Sequence, residues 1–541
     1  MKEIPILLIG LFVLLRCTSC YADKYSMSAQ HLLKQTPTVR SVMQQPVMAC
    51  VAIHQVHFSA LSPFPLITQK RLSQWKRRVE GQCVNDEALL LYADFLNAQL
   101  TELGYITSYI HYPKQALLLG VLRVELVPGK LGSIVHQETG HESHSLFSAF
   151  PLQKGEVIHL HPINQGLANL HNTQLIRHQI HIISDNQNNN LNQLVIQRQA
   201  IRAFKGRLLL ESKASQQLPK HRISNVVMLA NPLLLNDFFF GRVDSDIGSR
   251  AEKTLKSASI LYSVPYHYWL WTLYVGYQEN SMNQYLQSNE AMEIRYDSRS
   301  RLLSLQAEYL LHRTRTGSTS ASIGTQIQTL DIFLEQYRLE TQRRFSSYLL
   351  LGLSHKRDFV QGNAVFSFSV KQDVDWFGST RAQITGLEQA RIYLLSIDYQ
   401  RIFNLMGQSM YHRHELEVQL SHSKLDPLLE LNSLSGNLGI RGFTNSLGIE
   451  NGGDNTFKFK NEWGWFSPWF GVELYGALDY ATGSTDRANL WQENHLIGTE
   501  IGLKGRFARM DYKLFIEAPL WYPDALKVND VNFGVKVSFD Y

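Results

Sequence analysis

Three close histidine pairs, His141/His144, His159/His161 and His412/His414, are the first residues in this chain whose types and spacing could ligate a metal ion. A stable site needs further donors at short spacing, and no carboxylate or cysteine completes a recognisable set around these pairs. No Gly-x-Ser-x-Gly elbow is present, although a Ser and a His brought together only in space would carry no such motif. No Gly-x-x-x-x-Gly-Lys phosphate cradle occurs, and Pro128-Gly129-Lys130 reads as a turn. The expectation is a protein that is not an enzyme, with no catalytic residue, metal or cofactor.

Cysteine chemistry is more informative. The chain has 4 cysteines, and Cys17 and Cys20 lie in a segment with the pattern of a secretory leader. Lys2 precedes an apolar run from Ile4 to Leu15, and Cys20-Tyr21-Ala22 offers small residues at a cleavage site. Residues 1–22 are therefore expected to be a signal peptide. Arg16 before Cys17 fits a lipoprotein site badly. Cys50 and Cys83 remain, and an even pair in an exported chain suggests a disulfide, two buried free thiols being the alternative.

The elements that must position such residues change character near residue 200. Before it, Leu72, Trp75 and Val79 share one helical face, and Leu89, Ala93, Leu96, Leu100 and Leu103 form a second stripe ended by Gly104. Ile106 to Tyr112 reads as a strand, and Leu122, Val124 and Leu126 alternate with Arg123 and Glu125. A second, shorter block has helical spacing around Ile163 to Leu170 and strands near Leu175 to Ile183 and Leu194 to Arg198. Two small α+β modules in tandem are expected.

From about residue 204 the period is two. Val531, Phe533, Val535, Val537, Phe539 and Tyr541 alternate with polar residues, as do Trp269, Trp271, Leu273, Val275 and Tyr277. Phe366, Phe368 and Val370 form another such face, and Leu416, Val418 and Leu420 stand opposite Glu415, Glu417 and Gln419. No run of about 18 apolar residues follows the leader, so a membrane would be crossed by strands. About 340 residues at roughly 20 per strand and turn allow about 16 strands. A soluble sandwich is the competing reading. The net charge of +5 is the small difference between 52 basic and 47 acidic residues spread along the chain, which argues against a nucleic-acid partner.

These residues resemble the TpsB transporters of two-partner secretion, the hemolysin-activator type, over nearly the whole mature chain. The resemblance is carried by Cys50 through Leu103-Gly104-Tyr105-Ile106-Thr107-Ser108, by the Leu122 to Pro128-Gly129 strand and turn, and by Ala149-Phe150-Pro151-Leu152 with Gly155. Tyr262-Ser263-Val264-Pro265-Tyr266, Trp376-Phe377-Gly378 and the stretch from Leu434-Ser435-Gly436 to Ile440-Arg441-Gly442-Phe443 carry it in the barrel. It implies a membrane all-β fold: a 16-stranded antiparallel transmembrane β-barrel in the outer membrane, preceded by two periplasmic α+β POTRA domains. The expected division is 23–46 as an N-terminal plug helix or linker, 47–135 and 136–200 as the POTRA domains, and 201–541 as the barrel.

In the family, an arginine at the tip of the sixth extracellular loop folds into the lumen and meets an aspartate of the wall. Arg441 matches the arginine. Strand parity places Val472, Leu474, Gly476, Leu478 and Tyr480 outward and Glu473, Tyr475, Ala477 and Asp479 inward, which makes Asp479 its expected partner. Ile440 replaces the commoner valine, and Ala477 stands where relatives often carry an aromatic. Two parallel hydrogen bonds from guanidinium to carboxylate would fix the loop, and Gly442 would permit its turn. The implied partners are a secreted TpsA-type exoprotein of hemolysin, adhesin or contact-dependent toxin kind, outer-membrane lipid, and the barrel-assembly machinery during biogenesis. A barrel-assembly insertase and a general diffusion porin are the alternatives; the first typically has more POTRA modules and the second none.

Overall fold

The computed structural model describes residues 50–541 apart from 174, 185–189, 200–202, 214–218, 248–252, 287–291, 315, 380–386, 436–438, 444–451, 469–470, 486–493, 525, 527 and 529. The expected signal peptide and the 23–46 segment lie outside the described residues.

In the first module, Gln55–Ser59 pairs in parallel with Val121–Val127, which pairs antiparallel with Tyr109–His111. Helices Gln69–Lys76 and Asp86–Glu102 cover one face, the first capped by Thr68 and the second by Asn85. Their apolar stripes supply Leu72, Trp75, Leu96 and Leu100 to a core with Val56, Leu122, Val124 and Leu126. Cys50 and Cys83 are joined by a disulfide across the short ladder Val51–Ala52 with Cys83–Val84.

The second module begins earlier than expected. Lys130–His136 runs parallel to Leu191–Gln199, whose other neighbour is Arg177–Ser184, so the junction is at Pro128-Gly129 and not at 135/136. Its alternation is broken by a register shift between Leu131 and Ser133, which hides the strand from a period-two reading. Helices His144–Ala149 and Leu160–Leu170 complete the module. Its Gly166 lies against Phe150, where a Cβ would come within 2.1 Å of the ring.

The barrel closes when the last strand, Asn532–Asp540, pairs antiparallel with the first, Phe204–Lys213. Sixteen strands form the wall, and the two-residue piece Tyr337–Arg338 pairs only beside it, since Gly317–Leu334 and Arg344–Phe359 bond directly. Closure satisfies the backbone groups that lipid cannot. The expected outward faces are the exposed ones: Trp269, Trp271, Leu273, Val275 and Tyr277, Phe366 and Phe368, Leu474 and Leu478, Phe533 and Phe539. Inward positions hold Ser304, Gln326, Gln328, Lys371, Asp373, Lys458 and Glu500. A wall apolar outside and polar inside excludes the soluble sandwich, which would bury its apolar face against a second sheet.

The turns at 231–237 and His267–Tyr268 touch the second module and mark the periplasmic end. His267 O accepts from Asn169 Nδ2 at 2.7 Å and from Gln165 Nε2 at 3.1 Å, and His267 N donates to Ser148 O at 2.9 Å. Asn236 Nδ2 donates to Ser145 O at 2.7 Å, and Asn172 Nδ2 to Ser263 Oγ at 3.3 Å.

Candidate functional site

Residues 422–454 join Gln408–Ser421 to Asn455–Phe466, and the described part of this connection runs inside the barrel. Its tip is where the sequence places the site. Arg441 N and Nε both donate to Asp479 Oδ2, at 3.0 and 2.9 Å, and Nη1 donates to Glu462 Oε2 at 2.8 Å. The expected pair thus meets, but not through two parallel bonds to one carboxylate. The guanidinium instead bridges carboxylates on neighbouring strands, because Asp479 Oδ1 already accepts from Asn461 N at 3.2 Å.

Asp479 is fully buried from solvent on the inward parity of Val472–Ser484, between outward Leu478 and Tyr480. Ala477 sits directly opposite Glu462 in the ladder, also inward. Gly442 has a φ of 88°, and a Cβ there would meet Ala518 O at 2.4 Å, so the turn requires glycine on both counts. Its amide donates to Glu517 Oε2 at 3.3 Å, and Lys213 neutralises that carboxylate at 3.1 Å. Gly498 makes room on the wall: a Cβ there would lie 1.9 Å from Arg441 O. Ile440 and Phe443 flank the arginine in a closed apolar cluster with Leu434, Ala481 and Leu496. Charge contact through Arg441 and apolar packing through Ile440 and Phe443 therefore hold the same short stretch of the loop.

Sequence reasoning missed Glu462 and its supports. Lys504 Nζ reaches Glu462 at 3.1 Å and Glu473 at 2.8 Å, and Tyr411 OH donates to Glu462 at 2.8 Å. The parity of Asn455–Phe466, with Lys458, Lys460 and Glu462 opposite Phe457, Phe459 and Trp463, holds the information that could have found it. It also missed a second anchorage. Asp426 pairs with Arg344, Glu430 accepts from Tyr348 OH at 2.8 Å, and Leu428 and Leu429 pack on Met282, Tyr296, Leu330 and Ile332 of the wall. The loop is thus fastened along its first limb and at its tip, across different parts of the wall.

The histidine pairs do not converge on metal chemistry in the described residues, where no group of three or more His, Cys, Asp or Glu side chains could hold an ion. His159 instead joins the two modules: its Nε2 is 2.9 Å from Leu103 O, and its ring lies edge-on to Tyr105. Burial lowers its pKa, which favours the neutral ring. Gly104 is the close approach that this contact needs.

A closed barrel of sixteen strands, two periplasmic modules docked at one mouth and an inward loop latched by an Arg–Asp contact define an outer-membrane translocator with POTRA domains. The sequence matches the family of haemolysin secretion/activation proteins ShlB/FhaC/HecB over residues 191–505 and the ShlB-type POTRA domain over residues 51–129. The chain belongs to this family, the translocators of two-partner secretion, whose partner is an exported protein of the TpsA type. It is 21% identical to an outer membrane transporter CdiB-2 of Burkholderia pseudomallei, the match covering 86% of this chain and 80% of the relative. It is 25% identical to an outer membrane transporter CdiB of Escherichia coli, covering 82% and 75%. The fold superposes on the solved CdiB from Escherichia coli with a TM-score of 0.80 over 95% of both chains, at 20% identity. The expected insertase and diffusion-porin alternatives give way to this assignment.

Proposed function

We propose that the chain carries a large, unfolded exoprotein of hemolysin, adhesin or contact-dependent toxin kind through its lumen and performs no covalent chemistry on it. The observation that carries this reading is an open sheet edge on the module that docks against the periplasmic turns of the barrel. Among the described residues, Arg177–Ser184 has a strand neighbour on one side only, Leu191–Gln199. Its module is held to the barrel turns by Asn169, Gln165 and Asn236. An extended segment can add to such an edge through main-chain hydrogen bonds, with little demand on sequence. Entry into the lumen follows from there, and folding outside the cell makes the transfer directional.

Two further partners belong to this reading. Outer-membrane lipid solvates the outward apolar band, and the barrel-assembly machinery inserts the chain, since an unclosed wall of this length exposes unpaired strand edges. The test is co-expression with a long secreted protein encoded beside this chain. Its appearance in the culture medium should depend on this chain. Export undiminished when the chain is deleted would defeat the proposal.

A further inference from the structure

The outer surface of the barrel carries a basic patch that neither the loop latch nor the POTRA docking uses. It spans four consecutive strands, Lys253–Tyr266, Trp269–Leu286, Met292–Thr314 and Gly317–Leu334. The ladder sets Lys256 opposite Glu279, Glu279 opposite Arg299, and Arg299 opposite Asp331, so the four side chains form one row. Arg301 stands one outward position closer to the membrane core, opposite Tyr277, and Arg343 reaches Asp331 at 3.6 Å from the loop above. The strand residues of the patch share the outward parity of Tyr277, Leu303 and Leu305. Four cations against two carboxylates leave two positive charges in excess. The next outward pair, Arg295 with Asp297 at 3.0 Å, adds none.

Height decides what this patch faces. Trp269, Trp271 and Tyr309 cluster near the periplasmic turn, and Tyr277 ends the apolar run on the same strand. At about 3.3 Å per residue and a tilt of about 40°, that run is ~20 Å tall, against an apolar band of about 25 Å in such barrels. The row therefore stands where the outer-leaflet headgroups begin, at the end of the barrel away from the POTRA modules.

We propose that this patch binds a phosphorylated lipid of the outer leaflet, of the diphosphorylated lipid A type. Arg299, Arg301 and Lys256 take the phosphate oxygens, and the acyl chains lie along Leu273, Leu303 and Leu305 beneath them. Guanidinium forks match phosphate geometry. Glu279, which accepts from Arg299 at 3.1 Å and from Tyr277 OH at 3.0 Å, holds the cations apart and aimed outward. The inference rests on the reading that lipid solvates the apolar band.

Native mass spectrometry of the full chain in detergent tests it, with diphosphorylated lipid A, dephosphorylated lipid A and inorganic phosphate as separate probes. The wild type should retain lipid A, and the triple variant Lys256→Gln/Arg299→Gln/Arg301→Gln should retain it about tenfold less well. Arg391→Gln, at an outward position elsewhere on the rim, should match the wild type. If the triple variant fails to fold, Arg301→Gln alone, at an exposed position, should weaken retention about threefold. Equal retention by wild type and variants, equal binding of the dephosphorylated lipid, or inorganic phosphate bound as tightly as lipid A would overturn the site. A chain that stays monodisperse without detergent would overturn the lipid-belt reading beneath it, a result separable from all of these.

Discussion

Arg441 and Asp479 are joined twice, because the backbone amide and the guanidinium of the arginine donate to the same carboxylate oxygen at 3.0 and 2.9 Å. The two residues are therefore unequal. Truncating the arginine leaves the main-chain bond, whereas truncating the aspartate removes both. Breaking a buried charged contact on one side costs about 3–5 kcal/mol. Asp479→Ala should reduce export more severely than Arg441→Ala, with barrel level followed separately by heat-modified gel mobility. Equal export from Asp479→Ala and wild type would remove the latch from the mechanism.

A steric substitution separates loop seating from charge. Gly498 touches the loop tip only through the space it leaves, and a methyl there would lie 1.9 Å from Arg441 O. Gly498→Ala should reproduce the Asp479→Ala export defect with every ionic group intact. It should also raise the conductance of the purified pore in planar bilayers, through release of the tip.

The first POTRA module should depend on its disulfide. Cys50 and Cys83 close a loop with a sequence separation of 33, for which the chain-entropy relation gives about 3–4 kcal/mol. The double variant Cys50→Ser/Cys83→Ser should lower the urea midpoint of that module by a corresponding amount while leaving barrel mobility unchanged. An unshifted midpoint would show that the packed core, with Trp75, Leu96 and Leu100, suffices alone.

Acid should loosen the second module. His178 has its pKa lowered to about 3, first by burial and then by the charges of His171, Arg198 and His136. Its unfolded value is near 6.5, so the unfolded chain takes up a proton first as pH falls. Stability is unaffected above about pH 6.5 and declines between there and about pH 3, by up to about 1.4 kcal/mol per unit. His178→Asn should flatten that decline in chemical denaturation of the periplasmic region. A slope identical to wild type would contradict the assignment.

The sequence carried the architecture because period two is a direct record of which side of a wall faces lipid. The same parity located Asp479, since more and less exposed positions alternate from Leu474 to Tyr480. Parity marks Glu462 as inward, but its meeting with Arg441 was not legible, because that depends on the register between two strands and on where a long loop returns. Asp426 and Glu430 were hidden for the same reason: a loop's contacts with a wall have no period. The boundary between the modules was misplaced because Lys130–His136 follows its turn at once and is interrupted at Gly132, where the register shifts. Helix His144–Ala149 is too short for a helical stripe to declare itself.

Photo-crosslinking during export tests the central claim most directly. With an exoprotein arrested in transit, a photoreactive residue at the inward positions Ser304 or Gln326 should yield adducts to it, and one at the outward positions Leu303 or Ile323 should yield none. Adducts from the outward pair alone, or from neither pair while export proceeds, would contradict passage through the lumen.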